Sequence, residues 1–133
     1  MIFKCNSHLL NNYLEYDYVG APWPIDDRET EKLCGYIGNG GFSLRKKSKM
    51  LEIIEKKDYF LDTTINEDVY FNIPCDNIHM KRPSHEEATM FSVEGIFREG
   101  AFACHKPCLF FLKKFRLHYP EFKTLEGLQY CEE

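Results

Sequence analysis

Apolar residues recur along the chain at two different periods, and the changes between them mark its elements. Ile2 and Phe3 form a short apolar opening that reads as the end of a strand. Tyr13, Leu14, Tyr16 and Tyr18 crowd the stretch Asn11–Tyr18, which reads as a short helix running into an extended piece. Leu44, Lys47, Met50, Leu51 and Ile54 repeat at three- and four-residue steps. That spacing predicts a helix starting at Ser43 or Ser48, with those residues on one face. Asn66 ahead of Glu67 and Asp68 predicts a second, short helix, because Asn caps well and carboxylates suit the positive end of a helix dipole. Pro83-Ser84 before His85-Glu86-Glu87-Ala88 marks a third start, and Phe91-Ser92-Val93-Glu94 alternates as a strand does. A last helix is expected from Pro107 to about Leu117, ended by Tyr119-Pro120.

The punctuation is as informative. Gly20-Ala21-Pro22-Trp23-Pro24 reads as irregular, since two prolines fix φ and remove two donors. Ile25 to Lys32 reads as a charged loop. Tyr36-Ile37 enters the cluster Gly38-Asn39-Gly40-Gly41, and Phe42-Ser43-Leu44 leaves it. Short strands alternating with helices give an α/β fold class. At 133 residues the whole chain, 1–133, reads as one domain.

Composition narrows the functional classes. A hydrophobic content of 44% with 15% aromatics is that of a folded chain rather than a disordered one. Seventeen basic against 21 acidic residues, a formal charge of -4, disfavours a nucleic-acid partner. The longest apolar patch, Cys108 to Leu112, is closed by Lys113-Lys114, far short of the ~20 residues of a membrane span. With no secretory leader ahead of them, the six cysteines read as reduced thiols in a reducing compartment. Arg45, Lys46, Lys47 and Lys49, followed by Glu52 and Glu55, read as a solvated helix face.

Three constellations carry chemistry, each with a plain structural alternative. The glycines of Gly38-Asn39-Gly40-Gly41 let a ligand reach the backbone, or they simply make a tight turn, where Asn-Gly is a favoured pair. Their spacing is neither that of a dinucleotide fingerprint nor that of a P-loop. Glu67-Asp68 at a helix start offers a general base, or two carboxylates that stabilise the first turn. Cys104-His105-Lys106-Pro107-Cys108 lacks the redox spacing and any second pair at zinc-finger spacing.

Taken in order, these strings resemble a known pattern. Tyr16-Asp17-Tyr18-Val19-Gly20-Ala21-Pro22-Trp23, Gly38-Asn39-Gly40-Gly41-Phe42-Ser43-Leu44-Arg45, Asn66-Glu67-Asp68-Val69-Tyr70, Phe91-Ser92-Val93-Glu94 and His105-Lys106-Pro107 follow one another from about Phe3 to Pro107. The series resembles an uncharacterised glycosyltransferase-like domain family of giant viruses, fungi and other microbes. More distantly it is similar to inverting GT-A-type nucleotide-sugar glycosyltransferases. The resemblance implies a partial GT-A-like mixed sheet with flanking helices, corresponding to the C-terminal, acceptor-side half of such an enzyme. It implies a nucleotide sugar and a glycan or other hydroxyl acceptor as substrates, with Mn²⁺ or Mg²⁺ as cofactor. Asp68 would be the base, with Glu67 next in line. Asn39, Gly40, Gly41, Trp23 and Arg45 would line the substrate site. His105 and Asn6 would be the metal candidates, Asn6 standing where an Asp is expected.

Three further expectations follow. The Asp68 carboxylate should face Asn39–Gly41, while Glu67 points elsewhere. The nucleotide-binding half would come from a partner chain, or the chain would self-associate through an uncovered sheet edge. The alternative outcome is a non-catalytic sugar-binding or interaction module derived from the same family.

Overall fold

The structure is a computed structural model that describes residues 2–24, 37–57, 65–72, 77–106 and 112–119. A 3-10 helix, Lys4–Tyr13, leads into strand β1, Tyr18–Pro22. Strand β2, Ile37–Arg45, is followed by helices α1, Lys47–Lys56, and α2, Glu67–Asn72. Helix α3, His85–Phe91, runs directly into β3, Ser92–Val93; β4 is Ala103–Cys104 and α4 is Leu112–His118. The described chain is thus mixed α/β, with small sheets and helices. β1 and β2 pair antiparallel, and β3 and β4 pair parallel. Ile2 bridges Ala103, and the Phe3 N–H donates to Phe102 O at 2.9 Å, so the apolar opening adds to the β4 side.

β1 is buried along its whole length, so its alternating side chains serve two cores. Tyr18 packs with Met50 and Ile53 of α1 and Tyr70 of α2. Val19 packs with Tyr13, Phe91, Phe102 and Ala103. Next to Ala103, Cys104 belongs to a third cluster with Phe3, Val93, Ala101, Phe115 and Tyr119, where the Phe3 and Tyr119 rings stack 3.7 Å apart. Each fully buried large apolar side chain contributes about 1.5–3 kcal/mol, so these three clusters are the main support of the fold.

Several elements differ from the sequence reading, each for a local reason. Gly20-Ala21-Pro22 is a strand, because Pro22 falls on the last position of β1, where one lost ladder bond is tolerated. A 3-10 helix, Lys4–Tyr13, starts straight after the strand-like Ile2-Phe3 opening and stands in place of the helix expected from Asn11. Ten residues is long for this conformation. The hydrogen bond from Asn6 Nδ2 to Ala101 O (2.7 Å) and the buried Tyr13 hold its two ends. Helix α1 is capped by Lys46, whose N–H donates to Asp17 O at 2.9 Å, and not by Ser43 or Ser48. Its buried residues are Met50 and Ile53, while Leu51 and Ile54 of the expected stripe are about half exposed. Glu52 bridges Lys49 (2.7 Å) and Lys56 (2.8 Å) on the solvated side. Arg45 does not belong to that solvated face.

The second and third helices start where the caps placed them. Ser84 and Glu87 form a capping box, the Ser84 hydroxyl accepting from the Glu87 N–H and the Glu87 carboxylate from the Ser84 N–H. Phe91 ends α3 instead of opening β3, and Glu94 lies just beyond that strand. The expected start of the last helix at Pro107, the charged loop Ile25–Lys32, and Cys34, Cys75, Cys108 and Cys131 lie outside the described residues. Cys104 is a buried thiol, pushed up to about 11 by its burial. No helix among the described residues is long and apolar enough to cross a membrane.

Candidate functional site

The site forms where β2 leaves its ladder. Gly20 and Ala21 are consecutive on β1 but face Ser43 and Asn39. Gly40, Gly41 and Phe42 between those two therefore have no partner on β1, and they make a bulge rather than the turn that Asn-Gly had offered. Asn39 braces it, its Oδ1 accepting the Gly41 N–H at 2.9 Å. Gly38 has φ +115, a left-handed value, and a β-carbon there would overlap the Asn72 amide and the Tyr18 ring. Tyr18 donates its hydroxyl to Gly38 O at 2.7 Å, and Asn72 Nδ2 donates to the same carbonyl at 3.1 Å and to Asp68 O at 2.7 Å. The base of the bulge is thereby tied to α2.

The α2 carboxylates meet the bulge at Gly40. Asp68, in the first turn, accepts the Gly40 N–H on Oδ2 at 3.1 Å and the Val69 N–H on Oδ1 at 2.8 Å. Glu67 does not point elsewhere. A β-carbon at Gly40 would overlap its carboxylate, and would lie 2.8 Å from Arg45 Nη2 and 2.9 Å from Asp68 Cβ. Arg45 is the reason: its Nη2 holds Glu67 Oε1 at 2.7 Å and draws that side chain back over the glycine. The guanidinium also lies over the Tyr18 and Phe71 rings (4.9 and 5.3 Å to their centres) and donates from Nε to Ser43 Oγ at 3.0 Å. Arg45 Nη2 reaches the Tyr18 hydroxyl at 3.2 Å. Burial chiefly pushes the Tyr18 phenol up to about 12, with the Glu67 and Asp68 charges adding and the Arg45 charge opposing. Tyr18 therefore stays a hydrogen-bond donor at physiological pH.

The next glycine meets a different pair. A β-carbon on Gly41 would overlap the His105 imidazole, so the ring packs on the bulge itself. His105 follows β4, and its N–H donates to Val93 O at 2.9 Å. Its Nδ1 lies 3.2 Å from Glu94 Oε2, without hydrogen-bond alignment. Both atoms are buried and have no hydrogen-bond partner among the described residues. Lys106, next in the chain, has φ +46, a strained value for a lysine that sets the turn after His105.

The remaining sequence candidates divide. Asn39, Gly40, Gly41, Arg45, Glu67, Asp68 and His105 are brought together by the bulge. Trp23, partly buried, follows β1 in a segment whose Pro24 packs on Gly95, next to Glu94. Asn6 donates its Nδ2 to Ala101 O at 2.7 Å, a bond that does not involve its carbonyl oxygen. Among the described residues, no three His, Cys, Asp or Glu side chains converge as a metal set. Sequence reasoning missed Tyr18, Asn72 and Glu94. Glu94 had a visible signal, an acidic residue closing the alternating stretch Phe91-Ser92-Val93.

Fold and site together define a mixed α/β protein with a glycine bulge flanked by two acidic groupings, one of them paired with histidine. The chain belongs to the DUF5672 family, described as a protein of unknown function, with residues 1–106 matched. That match contains every site residue named above. No curated protein and no solved structure matches the chain.

Proposed function

We propose that the chain is a glycosyltransferase, or the acceptor-side part of one, that moves a sugar from a nucleotide-sugar donor to a hydroxyl acceptor on a partial GT-A-like scaffold. One observation carries the reading. The unladdered Gly40-Gly41 backbone has Asp68 and Glu67 at one residue and, at the next, His105 with Glu94 beside its ring. Glycines allow a sugar ring to approach the main chain, and a carboxylate beside them is placed to take a proton.

In this mechanism Asp68 accepts the proton of the acceptor hydroxyl as that oxygen attacks the anomeric carbon. Glu67 is held by Arg45 and orients that corner of the site. The Gly41 N–H stays with Asn39, which fixes the shape of the bulge. A divalent Mn²⁺ or Mg²⁺ would neutralise the departing diphosphate, and His105 with Glu94 are the residues that would hold it. Their buried Nδ1 and Oε2, 3.2 Å apart and without an aligned hydrogen bond, are the atoms that would face such an ion.

A second reading, a non-catalytic sugar-binding module, is favoured by one specific feature. Both Asp68 oxygens already accept a main-chain N–H, as a purely structural carboxylate would. A panel of nucleotide sugars, with and without Mn²⁺, separates the readings by thermal shift and by transfer of labelled sugar. Transfer that Asp68→Asn lowers by about 10²–10⁴-fold, with binding retained, supports the base. Sugar binding without any transfer supports the module. No binding of any sugar or nucleotide sugar overturns both.

A further inference from the structure

We infer that Asn39-Gly40 is a site of self-modification, where the Gly40 nitrogen closes on the Asn39 side chain to a succinimide that water opens to aspartate or isoaspartate. Asn39 is the one asparagine of the chain that glycine follows, so no β-carbon hinders the attacking nitrogen. Any flexible Asn-Gly pair reacts slowly in this way. The fold adds a base and an oxyanion donor. Gly40 gives its N–H to Asp68 Oδ2 at 3.1 Å, so the nitrogen that must lose a proton already shares it with a carboxylate. Gly41 gives its N–H to Asn39 Oδ1 at 2.9 Å, so the carbonyl to be attacked is already polarised by a fixed donor. That second bond closes a ring containing the Gly40 nitrogen, and it turns the Asn39 side chain forward along the Gly40 peptide. The bulge frees both glycines from the β1 ladder, which would otherwise hold their main chain extended.

The reaction balances within these groups and water. The Gly40 nitrogen bonds to Asn39 Cγ as its proton passes to Asp68. Negative charge collects on Oδ1, where the Gly41 N–H stabilises it as an oxyanion-hole donor does. The tetrahedral carbon then expels Nδ2, which takes the proton back from Asp68 and leaves as ammonia. Water reaches the ring because Asn39 and Gly40 are partly exposed and Gly41 is exposed. Its addition at Cγ gives aspartate on the ordinary main chain. Addition at the Asn39 main-chain carbonyl gives isoaspartate, with the chain rerouted and lengthened through the side-chain carbons. Either product sets a third carboxylate beside Glu67 and Asp68, and isoaspartate also breaks the Ala21–Asn39 pairing that bounds the bulge. The bulge thus carries the means of its own ageing, whatever substrate the site takes.

The test is ageing of the full chain at neutral pH, read by intact mass and by peptide mapping that separates asparagine, succinimide, aspartate and isoaspartate at position 39. The same chain unfolded in guanidinium gives the rate without a placed base or a fixed donor. Product is expected chiefly at Asn39, at least about tenfold faster in the folded than in the unfolded chain. Asp68→Asn keeps an acceptor for the Gly40 N–H but no base, and should slow the folded reaction at least about tenfold. Asn39→Gln, which would have to close a larger ring, should stop ammonia release at this position. Melting temperatures confirm that each variant is folded, and the wild-type comparison depends on no variant. A folded chain that reacts no faster than the unfolded one overturns the inference. So does a folded Asp68→Asn chain that ages at the wild-type rate, or product found chiefly at another asparagine.

Discussion

Gly40 and Asp68 are joined by a hydrogen bond from the glycine N–H to Oδ2 at 3.1 Å, across 28 residues of sequence. The side chain placed to receive a proton is thus also the one that holds the bulge against α2. The two roles separate by substitution. Asp68→Asn keeps one carbonyl oxygen, which can serve the Gly40 N–H but not the Val69 N–H as well, and Asp68→Ala keeps nothing. Hydrogen exchange at the Gly40 amide should be near wild-type in Asp68→Asn and clearly faster in Asp68→Ala, with an extra stability loss of about 1 kcal/mol in the latter. Equal exchange in the two variants would mean that this bond does not hold the bulge in solution.

The glycines of the same bulge should fail in different ways. Gly38→Ala places a β-carbon at φ +115 and into the Asn72 amide and Tyr18 ring, both deep in the structure. A left-handed alanine costs roughly 1–2 kcal/mol and overpacking roughly 1–3 more, so a loss of about 2–4 kcal/mol in urea unfolding is expected. Gly41 is exposed, and the group an alanine would meet there is the His105 ring at the edge of the site. Gly41→Ala should leave the melting temperature within a few degrees of wild type and weaken Mn²⁺–pyrophosphate binding. A large stability loss at Gly41 would show that His105 cannot move aside.

Much of this arrangement is legible in the chain because it is local. Ser84 with Glu87 announces α3, and Asn66 ahead of Glu67-Asp68 announces α2; both cues act within one helical turn. The glycine run could be flagged but not shaped. Whether Gly40-Gly41 turns or bulges depends on Ala21 pairing with Asn39 instead of continuing the Gly20–Ser43 register, a long-range relation. Glu67 was expected to diverge from Asp68 because neighbouring helical side chains project about 100° apart. That rule fixes the Cα–Cβ direction only, and the Arg45 ion pair bends the longer side chain back. Glu94 escaped notice as a site residue because its partner His105 is brought to it by the β3–β4 pairing, which no local pattern encodes.

Acid should expose the capping box. Hydrogen bonds from the Ser84 side chain, then from its backbone N–H and from Tyr16, hold the Glu87 carboxyl below its usual 4.5. Glu52 is lowered to about 2 by its bonds to Lys49 and then Lys56. A carboxyl depressed on folding contributes stability that is fully present above its unfolded value and lost as pH falls through its folded one. Stability should therefore decline from about pH 5 downward, with the Glu52 share persisting nearest to pH 2. Glu87→Gln should flatten the upper part of that decline, and Ser84→Ala should flatten it too, because the serine hydroxyl is the largest source of the depression. Urea unfolding at a series of pH values reads this out. A slope unchanged by both substitutions would assign the acid sensitivity to other carboxylates.

Two buried tyrosine hydroxyls should respond very differently to removal, although each has a donor and an acceptor partner among the described residues. Tyr18 donates to Gly38 O at 2.7 Å and receives Arg45 Nη2 at 3.2 Å. Both partners have alternatives in place: Asn72 Nδ2 also donates to Gly38 O, and Arg45 keeps Glu67 and Ser43. Tyr119 receives the Ala101 N–H at 3.1 Å and donates to Arg98 O at 3.0 Å. Arg98 is exposed, so its carbonyl can turn to water, but Ala101 is fully buried and its N–H loses the acceptor that serves it here. A buried donor left unsatisfied costs about 1–3 kcal/mol, against about 1 kcal/mol or less for a bond whose partners stay satisfied. Tyr119→Phe should therefore lower stability by roughly 1–3 kcal/mol and Tyr18→Phe by clearly less, with the ring stack on Phe3 kept in the first case. Both are compared by the urea midpoint at constant slope. If Tyr18→Phe proves the more harmful, the phenol bears on the bulge more than its hydrogen-bond partners can replace. Its loss should then also shift exchange at the Gly40 and Gly41 amides, which Tyr119→Phe leaves unchanged.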